Sequence, residues 1–192
     1  KKRQMEDAAP DEKEKLEEQF NFSTRVKREE RMFADADLLI ATSPPQWELL
    51  VSDYHIPRNK VRMIPPGYDD NRFFPVSEAT RQTIRDEFGY SGLVISSIGR
   101  LAKNKGFDLL IRAFALVSER LPDACLRIAV GMQSSEPGDS DMLKELEDLV
   151  SGNGIEEKVI IRDSLPDDQM PDFYRAADVF ALSSRYEPFG MT

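Results

Sequence analysis

Leu93-Val-Ile-Ser-Ser-Ile-Gly-Arg-Leu-Ala-Lys-Asn-Lys-Gly106 decides the fold class of this 192-residue chain. Leu93–Ile98 is an apolar run of strand length. A basic loop follows. From Gly106 to Arg120, Leu109, Leu110, Ala113, Phe114 and Val117 recur at helical spacing and predict an amphipathic helix. The alternation then repeats. Residues 125–130 read as a strand, 141–150 as a helix, 158–161 as a strand, 166–177 as a helix and 179–182 as a strand. Strands alternating with helices imply right-handed crossovers and a parallel sheet. The expected class is α/β, with ligands beyond the carboxyl ends of the strands.

Towards the amino end, residues 1–20 are densely charged, and Asp11–Glu18 offers alternating-sign helical pairs, as in an exposed helix or linker. A second helix is expected over Ser23–Ala36, with Ser23 or Thr24 as its cap. Asp37–Thr42 reads as a buried strand. Pro44-Pro45 is a favourable helix start leading into Gln46–Tyr54. Lys60–Ile64 is a strand that Pro65-Pro-Gly67 forces out of the sheet. Tyr68–Pro75 is a compact loop, and Thr80–Phe88 a helix stopped by Gly89. Two domains are expected, 1–67 as the tail of one α/β domain and 68–192 as the first part of another.

Composition narrows the partners. Acids outnumber bases 35 to 26, and the net charge is −9. That sign argues against a general nucleic-acid or membrane-surface binder, while leaving room for a local basic pocket. No apolar run approaches a membrane span, and no signal peptide is visible. Cys125 is the only cysteine, so no internal disulfide can form, which fits a reducing cytoplasm. It lies in the strand pattern Ala124–Val130 and is expected in the core. His55 is the only histidine, at a helix-to-loop junction where a surface or capping role fits. One His and one Cys do not make a zinc site of ordinary ligand type. Nothing in the pattern assigns an oligomeric state. The chain opens on Lys1 in a charged, helix-like stretch, so both ends are expected to be cuts through a longer protein.

Two segments carry chemistry. In Gly99-Arg-Leu-Ala-Lys-Asn-Lys-Gly106, Gly99 is expected to free the turn. Arg100 can grip a phosphate with two parallel N–H bonds. Lys105 adds a point charge at a helix entry, where free N–H groups and the helix dipole already favour an anion. The second segment, Ser183-Ser-Arg-Tyr-Glu-Pro-Phe-Gly-Met-Thr192, follows the last strand. Glu187 can accept from sugar hydroxyls, and Gly190 lets backbone approach a phosphate closely. A strand-end loop of this make-up suits a sugar nucleotide. Met132–Gly138 lies on the same rim and is a third candidate for the nucleotide pocket, although loop punctuation alone explains it.

These segments resemble the donor site of retaining glycosyltransferases of family 4, and the resemblance covers most of the chain. Arg100 and Lys105 match the pair that binds the donor diphosphate. Glu187 matches the first acid of the family's Glu pair, whose second member would fall beyond Thr192. Phe189, Gly190 and Met191 match the loop whose backbone N–H groups meet sugar and phosphates. Ile64-Pro-Pro-Gly67 resembles the segment joining the family's two Rossmann-like domains, the GT-B architecture. By that resemblance 1–67 belongs to the acceptor domain and 68–192 to an incomplete nucleotide-sugar domain.

Lys1–Met5, Phe20-Asn-Phe22 and Ile64–Pro75 are similar to the sucrose-phosphate synthase-like branch, which glycosylates a sugar phosphate. The resemblance then implies hexosyl transfer to fructose 6-phosphate, with GDP-mannose favoured as donor and UDP-glucose next. It places Lys1, Lys2 or Arg3 near the acceptor phosphate; an exposed basic helix end is the rival reading. The nucleotide sugar is a substrate, so no cofactor is implied, and no metal is needed where two cations meet the diphosphate. Three alternatives stay open: sucrose-phosphate synthesis, a lipid or glycan acceptor, and a nucleotide-sugar-binding module without turnover. The stretch by itself is expected to be inactive.

Overall fold

Leu93–Arg100 and Ala124–Gly131 form the centre of a four-stranded parallel sheet. The computed structural model describes residues 9–131, 139–162, 165–185, 187 and 192. These divide into two compact units, one ending at Gly67 and one running from Tyr68 to Glu187.

In the first unit α1 (Pro10–Phe20) and α2 (Phe22–Asp35) are separated by Asn21, whose φ of 51° is a left-handed conformation that Asn tolerates. The expected Ser23 or Thr24 cap does not form. The helix starts one residue earlier, and the Ser23 N–H donates to the Glu17 carboxylate at 2.7 Å. The strands β1 (Leu39–Ala41) and β2 (Val61–Met63) pair in parallel with Leu39 opposite Val61. Between them, Ser43 caps α3 (Pro44–Glu48) through its Oγ, which continues into one π-helical turn over Leu49–Asp53. Ala41, Leu50 and Val61 are buried, with Phe33, Trp47 and Ile56 packed around them. His55 is exposed, with φ 55°, just past that turn.

The second unit holds α4 (Glu78–Phe88), β3 (Leu93–Arg100), α5 (Phe107–Arg120), β4 (Ala124–Gly131), α6 (Asp139–Gly152), β5 (Val159–Arg162), α7 (Met170–Ala176) and β6 (Val179–Phe180). The strand order is β5-β4-β3-β6, all parallel. Side chains alternate between the two faces of the sheet. Leu126, Ile128 and Val130 pack with Phe107, Ile111 and Phe114 of α5 and with Leu146 and Val150 of α6. On the opposite face, Val94 and Cys125 meet Ile84 and Ala176, while Ile98 and Ala129 meet Phe173. Each large apolar side chain so buried contributes about 1.5–3 kcal/mol. Cys125 is a core residue, and burial pushes its thiol up from the ordinary range.

Three element boundaries in the second unit differ from the sequence expectation. The last helix begins at Met170 rather than at 166, because residues 166–169 close a turn (Gln169 N–H to Pro166 C=O, 3.0 Å) before Pro171 enters the first helical turn. The last strand keeps only Val179 and Phe180 in register; the Ala181 N–H still donates to Ser96 C=O at 2.8 Å before the chain leaves the sheet. Gly106 lies before α5 rather than in it, with φ 66°.

At the amino end of the sheet, Asp178 joins three elements. Its carboxylate accepts from the Val94 N–H at 2.7 Å, from Arg81 at 2.6 Å and from Arg85 at 3.1 Å. Arg85 is buried and also donates to Ala176 C=O at 2.8 Å and Gly92 C=O at 2.5 Å. This network anchors the amino ends of β3 and β6 and leaves their carboxyl ends to carry loops.

Candidate active site

The strand β3 ends on Arg100, which is exposed and has no ion pair among the described residues. Gly99 does not free a turn. It is paired opposite Val130 inside the strand, and a Cβ added there would stand 3.5 Å from the Lys105 and Phe107 side chains, an ordinary contact. Beyond Arg100 the chain makes one 3-10 turn, Lys103–Lys105, closed by the Lys105 N–H on Ala102 C=O at 2.9 Å. The glycine the backbone requires is Gly106. It has φ 66°, and a Cβ there would stand 2.1 Å from the carbonyl oxygen of Ser183. The loop leaving β6 therefore crosses directly over the entry to α5.

That crossing brings the two chemical segments together. Lys105 Nζ lies 2.5 Å from Glu187 Oε2, in an ion pair whose side chains are only 13% and 23% exposed. Ser184 Oγ donates to the same carboxylate oxygen at 3.4 Å. Ser183 Oγ donates to Lys105 C=O at 3.1 Å, and the Arg185 N–H to Asn104 C=O at 2.8 Å. Arg185 forks onto Asp108 at 2.8 and 2.6 Å and also donates to Lys103 C=O at 2.9 Å. The Arg185 guanidinium holds the Asp108 carboxyl below the usual carboxylate range.

A largely buried cation, its carboxylate partner and an exposed guanidinium thus stand at the carboxyl ends of β3 and β6. The positive end of the α5 dipole points the same way. Such a set can neutralise a phosphorylated leaving group and accept from hydroxyls beside it. Among the sequence candidates, Gly99, Arg100, Lys105 and Glu187 are in the described residues. Lys1, Lys2, Arg3, Phe189, Gly190, Met191 and the 132–138 loop lie outside them.

The family model for glycosyl transferases group 1 matches residues 81–192, more than half of the chain. The chain belongs to that family. Over all 192 residues this group 1 glycosyltransferase sequence is 50% identical to mannosylfructose-phosphate synthase of Agrobacterium fabrum, of which it spans 42%. In structure it resembles sucrose-phosphate synthase from Thermosynechococcus elongatus, with a TM-score of 0.73 and 24% identity over 88% of this chain and 40% of that one. An Anabaena protein solved with UDP-glucose gives a TM-score of 0.66 at 24% identity, over 80% of this chain and 40% of that one. At that identity the two structures speak for the fold, a parallel-sheet α/β fold of the GT-B type. Among the described residues no helix is long and apolar enough to cross a membrane.

Sequence reasoning missed Asp108, Ser183 and Arg185. All three are ordinary loop and first-turn residues in the chain, and only the crossing of two distant loops brings Arg185 to Asp108, 77 residues away, and Ser183 to Lys105. A groove of about 810 Å³ opens on the far side of the Arg185–Asp108 pair, between α5 and α6; neither Lys105 nor Glu187 lines it. The converging charges point instead to the strand ends.

Proposed function

We propose that this chain carries the donor-binding part of a retaining hexosyltransferase. The intact protein moves a hexosyl group from a nucleotide sugar to fructose 6-phosphate. GDP-mannose is the favoured donor, giving mannosylfructose phosphate, and UDP-glucose is next. The observation that carries this reading is the meeting of Lys105 with Glu187 beside Arg100, at the carboxyl ends of two parallel strands. The choice of donor and acceptor leans on the identity to mannosylfructose-phosphate synthase over the full chain.

In this reading Arg100 and Lys105 take the charge that develops on the departing diphosphate. Glu187 accepts from hydroxyls of the hexose and orients it. The acceptor hydroxyl attacks the anomeric carbon on the face the diphosphate is leaving. The bond from that carbon to the phosphate oxygen breaks, and the hydroxyl proton passes to the departing phosphate. Neither a protein nucleophile nor a cofactor takes part.

The test is turnover of the intact protein with fructose 6-phosphate and either donor, followed as nucleotide release. Release with GDP-mannose supports the reading in full. Release with UDP-glucose alone moves the product to sucrose phosphate. No release with either donor refutes the acceptor assignment.

A further inference from the structure

The Lys105 turn and the Glu187 loop are held to each other by more than their own ion pair. Arg185 stands two residues before Glu187, yet its side chain turns away from that carboxylate. Its guanidinium forks onto Asp108 at 2.8 and 2.6 Å and reaches Lys103 C=O at 2.9 Å, while its main-chain N–H donates to Asn104 C=O at 2.8 Å. Lys103 and Asn104 precede Lys105, and Asp108 follows it in the first turn of α5. Arg185 therefore brackets Lys105 from both sides along the chain.

We propose that Arg185, held by Asp108, is a positioning residue that fixes the separation of Lys105 and Glu187. It rests on the reading of Lys105 and Glu187 as the groups that meet diphosphate and hexose. Neither Arg185 nor Asp108 touches the donor. They act by setting where one charge stands against the other, so that both can be used at once.

Energetics favour a positional over a stabilising role. The Arg185 and Asp108 side chains are 45% and 35% exposed, and ion pairs that open to water add little to stability. What the two-pronged contact supplies is direction. A guanidinium meeting a carboxylate through two parallel bonds fixes distance and plane together, which a lysine ammonium cannot do. Displacement of a catalytic group by about 1 Å is enough to lower turnover by about 100-fold.

The experiment uses the intact protein with Arg185→Ala, Arg185→Lys, Asp108→Asn and the Arg185→Ala/Asp108→Asn double variant. Arg185→Ala is expected to lower kcat about 10- to 100-fold. Nucleoside-diphosphate affinity should change by less than about threefold, since the pair does not touch the ligand, and Tm should stay within about 3 °C. Arg185→Lys should fall between wild type and Arg185→Ala, and the double variant should be no worse than the worse single variant. A kcat within twofold of wild type for Arg185→Ala overturns the proposal, as do single effects that multiply in the double variant. A crystal structure of Arg185→Ala decides independently of turnover. A displaced Lys105–Glu187 pair supports positioning, and an unmoved pair overturns it. Wild-type protein that turns over neither donor refutes the functional reading alone, and the structural comparison still stands.

Discussion

Lys105 Nζ and Glu187 Oε2 stand 2.5 Å apart, 82 residues from each other in the chain, in a pair mostly withdrawn from water. In the proposed reaction both groups have other work, Lys105 at the diphosphate and Glu187 at the hexose. Without ligand each satisfies the other. On the proposed function the carboxylate then competes with the donor's phosphates for the same ammonium.

That competition predicts opposite effects on binding and turnover. Glu187→Gln keeps the shape and removes the charge. Hydrogen bonds to charged groups contribute about 1.5–3 kcal/mol, so partial relief should tighten nucleoside-diphosphate binding by about 3- to 10-fold. Turnover should fall by about 100-fold as the hexose loses its orienting acceptor. Titration calorimetry with GDP, beside initial rates, checks both. Weaker GDP binding in Glu187→Gln would count against the competition.

Gly106 and Gly89 share φ 66° but differ in surroundings. At Gly89 an added Cβ meets nothing within 4 Å, whereas at Gly106 it would stand 2.1 Å from the Ser183 carbonyl oxygen. Gly89→Ala should cost only the left-handed conformation, about 1–2 kcal/mol. Gly106→Ala must also push the Glu187-bearing loop aside. It should lower kcat by at least about tenfold, where Gly89→Ala leaves the rate near wild type. Thermal unfolding beside rate measurement separates the two effects.

Asp178 ties stability to pH. Burial pushes its carboxyl up, but the Val94 N–H together with Arg81 and Arg85 outweighs burial and holds it below the ordinary range. Its folded-state value is thus lower than its unfolded value near ~4. The stabilisation is present above about pH 4 and lost as pH falls through the depressed folded value. Asp178→Asn leaves the buried Arg85 without its counter-charge and should cost roughly 3 kcal/mol at neutral pH. As pH falls below about 4 the gap between variant and wild type should narrow. Urea unfolding at pH 7 and pH 3 gives the comparison.

Much of the second unit was legible because its signals are local. Leu93–Ile98 is apolar over strand length, and Gly106–Arg120 carries its apolar residues at helical spacing. The order β5-β4-β3-β6 was not legible, since no residue in β3 announces which strands will flank it. Arg85 reads as helix surface by type; its burial depends on oxygens that α7, the loop before β3 and Asp178 bring to it. Gly99 was misread for the same reason. A glycine before a loop suggests a turn, but the strand runs one residue past it and the positive φ falls at Gly106. In the site, Arg100, Lys105 and Glu187 were visible as charged residues at strand ends. The bracing by Ser183, Arg185 and Asp108 was not, because it exists only where two distant loops cross.

In the proposed site the carboxyl ends of β3 and β6 hold a donor diphosphate through Lys105. The most direct measurement is the affinity of the intact protein for GDP, with UDP beside it, in wild type and Lys105→Ala. Loss of one charge-assisted contact of about 1.5–3 kcal/mol predicts binding weaker by about 10- to 100-fold in folded protein, compared below the Tm of the variant, which loses the partner of Glu187. Equal affinity in the two proteins would contradict the claim and leave Lys105 as no more than the structural partner of Glu187.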